Sequence, residues 1–392
     1  MKDKLVEKLI KQEDKRQHSV INLIASENYV SQDVLDALGS TLTNKYSEGY
    51  PGRRYYGGNT IIDQVEDLAR TRALALFDLT PKKWHVNVQP LSGSPANLAV
   101  YSALVPIGGK IMGLKLSSGG HLTHGQSVSM TGKIWKQVPY EVDPTTERLN
   151  YKEVERIALE NKPDIIVAGF TAYPRTIDFK KFAAIAKKAG ALLMVDMSHT
   201  AGLVAGGAYP SPFPYADIVT TTVHKTLRGP RSAMIFVRKD AREMDKKIDK
   251  AIIPGLQGGP HNNQIAAVAV ALKEAATPAF KKYAHQVVKN AQALGDALQK
   301  LGWRVITGGT DSHLLLIDTW ADGKGVSGKD ASDRLEKAGI IVNMNTIPQD
   351  PRGVMDPSGI RIGTAAETTR GKKEKDMKSI AHKIDAVLRS KK

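Results

Sequence analysis

The chain contains no cysteine among its 392 residues. Disulfide bonds, thiolate metal sites and cysteine nucleophiles are therefore excluded. Long apolar runs are also missing, because the most apolar segment, Ile265 to Leu272, is far too short to span a bilayer. The first residues, Met1 to Lys15, are charged and amphipathic and lack the apolar centre of a signal peptide. We therefore expect a cytoplasmic protein with no membrane partner.

Acidic residues are too few to balance the basic ones, and the net charge is +16. Part of the excess lies between Lys372 and Lys392, where apolar residues at helical spacing predict a helix with a basic outer face. RNA binding is one use of such a face, but no zinc finger or aromatic-basic RNA motif accompanies it. A solvated face, or attraction of anionic substrates, is the simpler interpretation, so nucleic acid is not the expected partner.

The length suits two domains, and the contents of 41% hydrophobic and 24% charged residues are ordinary for a globular protein. From Lys162 onward, continuously apolar strands alternate with a helix, which predicts an α/β fold with a mostly parallel central sheet and helices on both faces. We expect an N-terminal arm with helices over 1–45, a large cofactor-binding domain over 46–276, and a smaller α+β C-terminal domain over 277–392.

Polar residues follow the predicted strands of this sheet. Thr171 follows one strand, Asp196 and His199 follow the next, and Lys225 follows a third. Ligands of such sheets bind beyond the carboxyl ends of the strands, so we expect these residues to share one site. Upstream, the segment 92–95 (Ser-Gly-Ser-Pro) has the composition of a helix start, which serves either as an ordinary N-cap or as a phosphate site.

Lys225 is the residue around which these parts can be organised. An ammonium at the end of a buried strand is costly unless it is paired or used, and the functional interpretation is a lysine that forms a Schiff base with an aldehyde cofactor. A surface lysine in a basic loop is the alternative. Pyridoxal phosphate fits the whole set, with Asp196 on the pyridine nitrogen. The remaining cofactor contacts would be Ser92, Gly93 and Ser94 on the phosphate, His121 on the ring face, and Thr171 or His199 on the phenolic oxygen.

Three further features each allow two interpretations. The loop 44–59 carries four tyrosines, and either packs on itself or binds a ligand with Glu48 as a proton shuttle. His121 and His124 lie between glycines, where ring stacking suits them better than metal binding because no carboxylate or thiol accompanies them. Arg361 lies inside a short apolar strand, where it either forms a structural ion pair or grips a substrate carboxylate.

The chain resembles the serine hydroxymethyltransferase family over nearly its whole length. The motifs that carry the resemblance are long and specific: LIASEN (23–28), KYSEGYPGRRYYGG (45–58), NVQPLSGSPAN (87–97), GGHLTHG (119–125), VDMSHTAGLVA (195–205), TTTVHKTLRGPR (220–231), QGGP (257–260) and SGIRIGT (358–364). The resemblance implies an aspartate-aminotransferase-like fold of type I and an obligate homodimer, with a tetramer left open. It also implies interconversion of serine plus tetrahydrofolate with glycine plus 5,10-methylenetetrahydrofolate, with pyridoxal 5'-phosphate held covalently on Lys225.

The resemblance also assigns residues. The implied catalytic residues are Lys225, Glu48, His224 and Tyr56. The implied substrate residues are Ser26, Glu48, Tyr55, Tyr56, His199 and Arg361, and His224, Tyr46, Gly258 and Gly259 join the cofactor contacts given above. The implied folate residues are Leu116, Gly120, His121, Leu122, Asn345, Gly353, Val354 and Met355. In the family, the Tyr46–Tyr56 loop and the Gly258–Gly259 pair serve the active site of the neighbouring subunit.

The sequence departs from the family pattern at several places, namely Thr80–His85 with Trp84, Ser117–Ser118, Pro174–Arg175, Gly353–Met355 and Ala365. None of these departures removes an expected catalytic group. They affect the expected folate contacts instead. The closest rival is a folate-independent β-hydroxyamino acid aldolase of the same fold. Glu48 and the tyrosine loop argue against it, because a simple aldolase has no need of them.

Overall fold

Helices and strands alternate through most of the chain in the computed structural model, which describes residues 1–240 and 242–390. The helices are α1 (Lys4–Ser19), α2 (Gln32–Leu38), α3 (Thr60–Leu76), α4 (Gly93–Leu104), α5 (Met130–Ile134), α6 (Tyr151–Asn161), α7 (Phe179–Ala189), α8 (Ala201–Ala205), α9 (Met244–Lys250), α10 (Asn262–Ala275), α11 (Pro278–Lys300), α12 (Gly328–Lys337), α13 (Ala365–Thr369) and α14 (Glu374–Arg389). The strands are β1 (Ile21–Asn22), β2 (Gly49–Tyr50), β3 (Arg53–Arg54), β4 (Trp84–Asn87), β5 (Lys110–Leu114), β6 (Lys136–Tyr140), β7 (Ile165–Gly169), β8 (Leu192–Asp196), β9 (Ile218–Thr222), β10 (Ala233–Arg238), β11 (Arg304–Val305), β12 (Leu314–Asp318), β13 (Ile340–Ile341), β14 (Asn343–Asn345) and β15 (Gly359–Gly363).

The central sheet has the strand order β4-β10-β9-β8-β7-β5-β6. Strands β6, β5, β7, β8 and β9 run parallel, and β10 pairs antiparallel with both β9 and β4. Every residue of β7 and β9 is buried, as expected for strands whose two faces are both covered by helices. One apolar cluster lies on each face of the sheet, and the predicted mostly parallel α/β architecture is confirmed.

A second, antiparallel sheet of order β11-β12-β15-β14 forms the C-terminal part of the fold. Its core includes Leu335 and Ile360, together with Leu23 from the N-terminal arm. The arm reaches this core because β1 pairs in parallel with β13. The arm therefore packs with the C-terminal part of the chain, and the predicted division into three units stays a prediction.

The basic C-terminal segment folds as α14, and the apolar residues predicted to share one face are buried there, including Met377, Ile380 and Ile384. The last two residues of the predicted 372–392 helix lie outside the described residues. In the part of the chain that the structure describes, every helix is either too short or too polar to cross a membrane.

One polar joint connects the two sheets close to the end of β7. The Arg175 guanidinium donates to Asp311 Oδ1 over 2.8 Å, to Thr307 Oγ1 over 3.0 Å and to the Thr307 carbonyl over 2.7 Å. Thr307 accommodates this contact in a left-handed conformation with φ of 61°. The joint fixes the small sheet relative to the loop that carries Thr171.

Candidate active site

A cavity of about 350 Å³ opens where the parallel strands β7, β8 and β9 end. This is the position expected for a ligand of an open α/β sheet. Its walls bring together residues from seven separate segments of the chain: Ser26, Glu27, Ser92, Gly93, Ser94, His121, Thr171, His199, Thr222, His224, Lys225, Arg231 and Arg361. Thr171, His199 and Lys225 thus meet segment 92–94 within one chain, whereas Asp196 stands outside the lining.

Lys225 lies on the turn after β9, and only 9% of the residue is exposed. Burial lowers the pKa of the Lys225 ammonium to about 8, with Asp196 opposing the shift and Arg361 and Arg231 adding to it. Asn28 Nδ2 donates to the Lys225 carbonyl over 3.0 Å, which holds the turn in place. A buried amine with a lowered pKa is the form in which lysine acts as a nucleophile.

Asp196 ends β8, and its side chain is 9% exposed. Its Oδ2 accepts from Asn97 Nδ2 over 2.9 Å and meets His124 Nε2 at 3.2 Å, while Oδ1 accepts the Ser198 N–H over 3.0 Å. Burial alone would raise the pKa of Asp196, but the hydrogen bond with His124 and the positive charge of Lys225 hold that pKa well below its usual range. The carboxylate is therefore anionic and firmly oriented.

His121 is connected to Asp196 through a short polar chain. The His121 Nδ1 accepts the Thr123 N–H over 3.2 Å and lies 2.7 Å from the Thr123 hydroxyl, which itself accepts from Asn97 Nδ2 over 2.9 Å. Burial lowers the pKa of His121 to about 4, so the ring is neutral. Since Nδ1 accepts, the other ring nitrogen carries the proton.

Arg361 reaches the cavity from β15 of the small sheet. Its Nε donates to Asn343 Oδ1 over 3.0 Å and its Nη1 donates to the Thr171 carbonyl over 2.8 Å. Burial lowers the pKa of Arg361 to about 10, a value at which the guanidinium remains charged at neutral pH. Both recorded partners are neutral, so no carboxylate of the described residues neutralises this cation. The structural ion pair considered above is thus not formed within those residues.

The residues of the cavity fit pyridoxal phosphate. Three cations, Lys225, Arg231 and Arg361, line it, which suits a ligand bearing a phosphate and a substrate bearing a carboxylate. A Cβ added to Gly93 would lie 2.7 Å from Thr222 Cγ2, so the start of α4 approaches β9 as closely as only glycine allows. Among the described residues, the buried hydroxyls of Thr171 and Thr222 have no hydrogen-bond partner, and both residues line this cavity.

The predicted tyrosine-loop residues form a second cluster rather than lining this cavity. The rings of Tyr46 and Tyr56 lie edge to face at 5.1 Å, and Tyr46 Oη donates to Glu48 Oε1 over 3.3 Å. Gly259 lies directly against this cluster, since a Cβ there would come within 2.9 Å of the Tyr46 ring. The exposed fractions of Tyr55, 83%, and of Tyr56, 43%, are large for aromatic side chains. A single chain therefore presents the cavity and the tyrosine cluster as two separate groups of predicted site residues.

The expected folate residues also lie outside the cavity lining, apart from His121. Leu116 starts a short turn after β5, Leu122 is half-exposed, and Asn345 ends β14. Val354 and Met355 are exposed on the loop before β15. Their contribution to folate binding stays a prediction.

Sequence reasoning missed several groups of the site. Thr222 and Arg231 line the cavity on either side of the Lys225 turn. The sequence signal for Thr222 was a polar residue at the end of an apolar strand, and the signal for Arg231 was an arginine directly after Gly-Pro. Asn97 and Thr123 are seen only in three dimensions, because they hold Asp196 and His121 from other segments. Within the described ranges, no group of three or more His, Asp or Glu side chains is placed to hold a metal ion.

Comparison with known proteins gives one consistent result. The family profile described as "Serine hydroxymethyltransferase" matches residues 1–384. A serine hydroxymethyltransferase from Desulfotalea psychrophila is 56% identical over 380 residues, which cover 97% of this chain and 87% of the relative. Proteins of the same name from Sorangium cellulosum and Koribacter versatilis are each 54% identical, over 99% of this chain and 90% and 89% of their own lengths.

Proposed function

This chain belongs to the serine hydroxymethyltransferase family, and we propose that it catalyses the reversible conversion of L-serine and tetrahydrofolate into glycine and 5,10-methylenetetrahydrofolate. The observation that carries this proposal is the cavity lined by Lys225, Arg361 and segment 92–94, with the Asp196 carboxylate close enough to Lys225 to act on its pKa. The cofactor of the family is pyridoxal 5'-phosphate. When bound, it supplies an electron-accepting ring for charge released at the α-carbon of the substrate.

We assign the cofactor contacts to the residues that support them by chemistry. Lys225 would hold the cofactor covalently, because its lowered pKa leaves part of the amine neutral at physiological pH. Asp196 is anionic and would keep a proton on the ring nitrogen of the cofactor. The N-terminus of α4, with Ser92 and Ser94, would bind the phosphate together with Arg231.

The amino acid would be oriented by its carboxylate. Arg361 has a charged guanidinium with neutral partners only, and Ser26 and His199 line the same wall. An arginine fork binds a carboxylate in one plane, which orients the bonds of the α-carbon relative to Lys225. His224, next to Lys225, is neutral because burial lowers its pKa to about 3.

We propose that two copies of the chain complete each site. Glu48 lies in the tyrosine cluster and not in the cavity lining, so the proton shuttle would come from the loop of a second copy, with Tyr55 and Tyr56 beside it. There Glu48 would move the proton of the serine side-chain hydroxyl. The exposed tyrosines of the loop agree with a surface that is covered in a homodimer. Assembly beyond the dimer and the cytoplasmic location stay predictions.

Serine cleavage with and without tetrahydrofolate tests the reaction. We expect strong dependence on tetrahydrofolate, whereas the rival aldolase would show none. Glu48→Gln should reduce serine turnover far more than cleavage of threonine-type substrates, and equal losses would refute the role of Glu48. Lys225→Ala should lose the visible cofactor absorbance that borohydride abolishes in the wild type.

Mixing inactive variants tests the shared site. In a one-to-one mixture of Lys225→Ala and Glu48→Gln chains, half of the dimers are mixed and each contains one intact site. We expect about one quarter of the wild-type activity after exchange of subunits. If both residues of a site came from one chain, the mixture would stay as inactive as the separate variants.

A further inference from the structure

His313 lies next to the cavity, in contact with the lining residue His199. It immediately precedes β12 in the small sheet, and its side chain is completely buried. Its backbone carbonyl accepts the Thr364 N–H over 3.0 Å, which fixes its position beside β15. The proposed reaction gives His313 no task, and a buried ionisable group without a task calls for an explanation.

The only side chain of the described residues to which His313 is hydrogen-bonded belongs to the active site. Its Nε2 lies 3.2 Å from Nδ1 of His199, and the two ring planes are inclined by 24° with their centroids 5.4 Å apart. The His199 ring also stacks against Phe170, with the ring centroids 6.3 Å apart and the planes inclined by 27°. His199 is therefore held in one ring plane by contacts from both sheets.

This hydrogen bond contains a single proton. Burial lowers the pKa of His199 well below its ordinary value and that of His313 to about 3, so both rings are neutral. A neutral imidazole has one donor and one acceptor nitrogen. If Nδ1 of His199 donates, its Nε2 is an acceptor, and if Nδ1 accepts, Nε2 is a donor. The tautomer of His313 therefore decides whether Nε2 of His199 donates a hydrogen bond to a ligand or accepts one.

We propose that His313 is a positioning residue that fixes the tautomer and ring plane of His199, and thereby its hydrogen bond to the ligand in the cavity. This inference rests on the proposed function only in taking the ligand to be the amino acid or the cofactor. His313 does not line the cavity, so it acts through His199. Because it belongs to the small sheet, it also ties the chemistry of His199 to the position of that sheet.

Nuclear magnetic resonance of the ¹⁵N-histidine-labelled holoenzyme tests the proposal without measuring activity. The wild type should show one dominant neutral tautomer of His199, and a mixture of both tautomers would overturn the proposal even if no variant folded. His313→Leu should produce such a mixture and raise the KM for serine about tenfold, with a smaller effect on kcat. His313→Gln keeps a polar partner for His199 Nδ1 near the same place and should recover part of the KM, but its amide can donate or accept, so it should not restore a single tautomer.

Asn290→Leu is the matched control, because Asn290 is another fully buried polar residue that binds Thr368 and a backbone carbonyl away from the cavity. It should destabilise the fold and leave the His199 signals unchanged. An unchanged His199 spectrum and KM in His313→Leu would show a merely structural residue. Loss of the proposed reaction in the wild type would instead refute the function, whatever the spectrum showed.

Discussion

Replacing Arg54 by methionine should disconnect the tyrosine loop from the body of the protein. The Arg54 side chain is only 4% exposed and donates to Asp63 over 2.8 Å and to Glu66 over 2.7 Å. Its Nη1 also donates to the carbonyls of Ser47 and Gly49, over 3.0 and 2.9 Å, on either side of Glu48. One guanidinium therefore anchors the loop that presents the proposed proton shuttle.

The size of the effect depends on the carboxylate that the change leaves unpaired. Glu66, on α3, is as buried as Arg54, and without the guanidinium its carboxylate keeps only the Gln89 amide as a partner. Removing one partner of a buried ion pair costs about 3–5 kcal/mol of unfolding free energy. Burial already raises the pKa of Glu66, and Arg54 opposes that shift. A carboxyl whose folded pKa is raised costs stability as the pH rises through that pKa, so the loss should be larger at pH 8 than at pH 5.5.

Urea denaturation at one fixed protein concentration measures this loss, and Arg156→Met is its matched control. Arg156 also binds two carboxylates, Glu153 and Glu160, but it is 54% exposed on α6. An exposed pair of this kind is screened by water and contributes little to stability. Equal losses in the two variants, or a loss that does not depend on pH in Arg54→Met, would refute the reasoning. Serine turnover in folded Arg54→Met should also fall, because Glu48 is no longer held.

Further predictions concern the cavity, the loop and the joint between the sheets. The rate at which the apoenzyme takes up added pyridoxal phosphate should rise with pH and level off above about pH 8, the pKa to which burial lowers Lys225; a midpoint near the ordinary lysine value of about 10.4 would contradict this. Gly259→Ala should displace the Tyr46 ring, 2.9 Å from the added methyl group, and reduce serine turnover, whereas Gly57→Ala, with nothing within 4 Å, should leave turnover unchanged. Arg175→Met should speed amide hydrogen exchange in the segment 307–311, whose Thr307 and Asp311 accept from the Arg175 guanidinium. Unchanged exchange in this segment would show that the contact between the two sheets does not depend on the arginine.

The sheet was predictable because each of its parallel strands carries two signals, an apolar composition and a polar residue just past its end. The continuously apolar segments became β7, β8 and β9, and the polar residues after each one line or support the cavity. The helix between β7 and β8, Phe179–Ala189, also begins and ends at residues whose types mark helix ends, since Asp178 caps its start and Gly190 ends it in a left-handed conformation. By contrast, the pairing of β1 with β13 joins residues far apart in sequence, and two-residue strands leave no periodic pattern to detect.

The cavity was predictable in its reactive groups and not in the groups that support them. Lys225, Asp196 and Arg361 are conspicuous in sequence because charged residues adjoin apolar strands. Asn97, which holds Asp196 from α4, looks like any helical polar residue, and its distance of 2.9 Å from the carboxylate depends on how α4 packs on the sheet. Supporting groups are defined by contacts between segments, and a single sequence does not record such contacts.

The charges explain why the site uses both sheets and why the proposed second copy would be favoured. Lys225 and Arg361 are buried at the cavity, whereas Arg231 and Glu27 line it as exposed residues. With Asp196 as the nearby carboxylate, a chain without ligands buries two cations against one carboxylate there. Buried charges are stable only when they are paired, and here the pairing anions would be the cofactor phosphate and the substrate carboxylate. Arg361 comes from the small sheet and Lys225 from the large one, so ligand binding should draw the two sheets together. The excess of positive charge at the cavity would also attract a carboxylate of a partner subunit, the proposed Glu48, to the rim. The same excess charge would therefore favour both assembly of the dimer and catalysis.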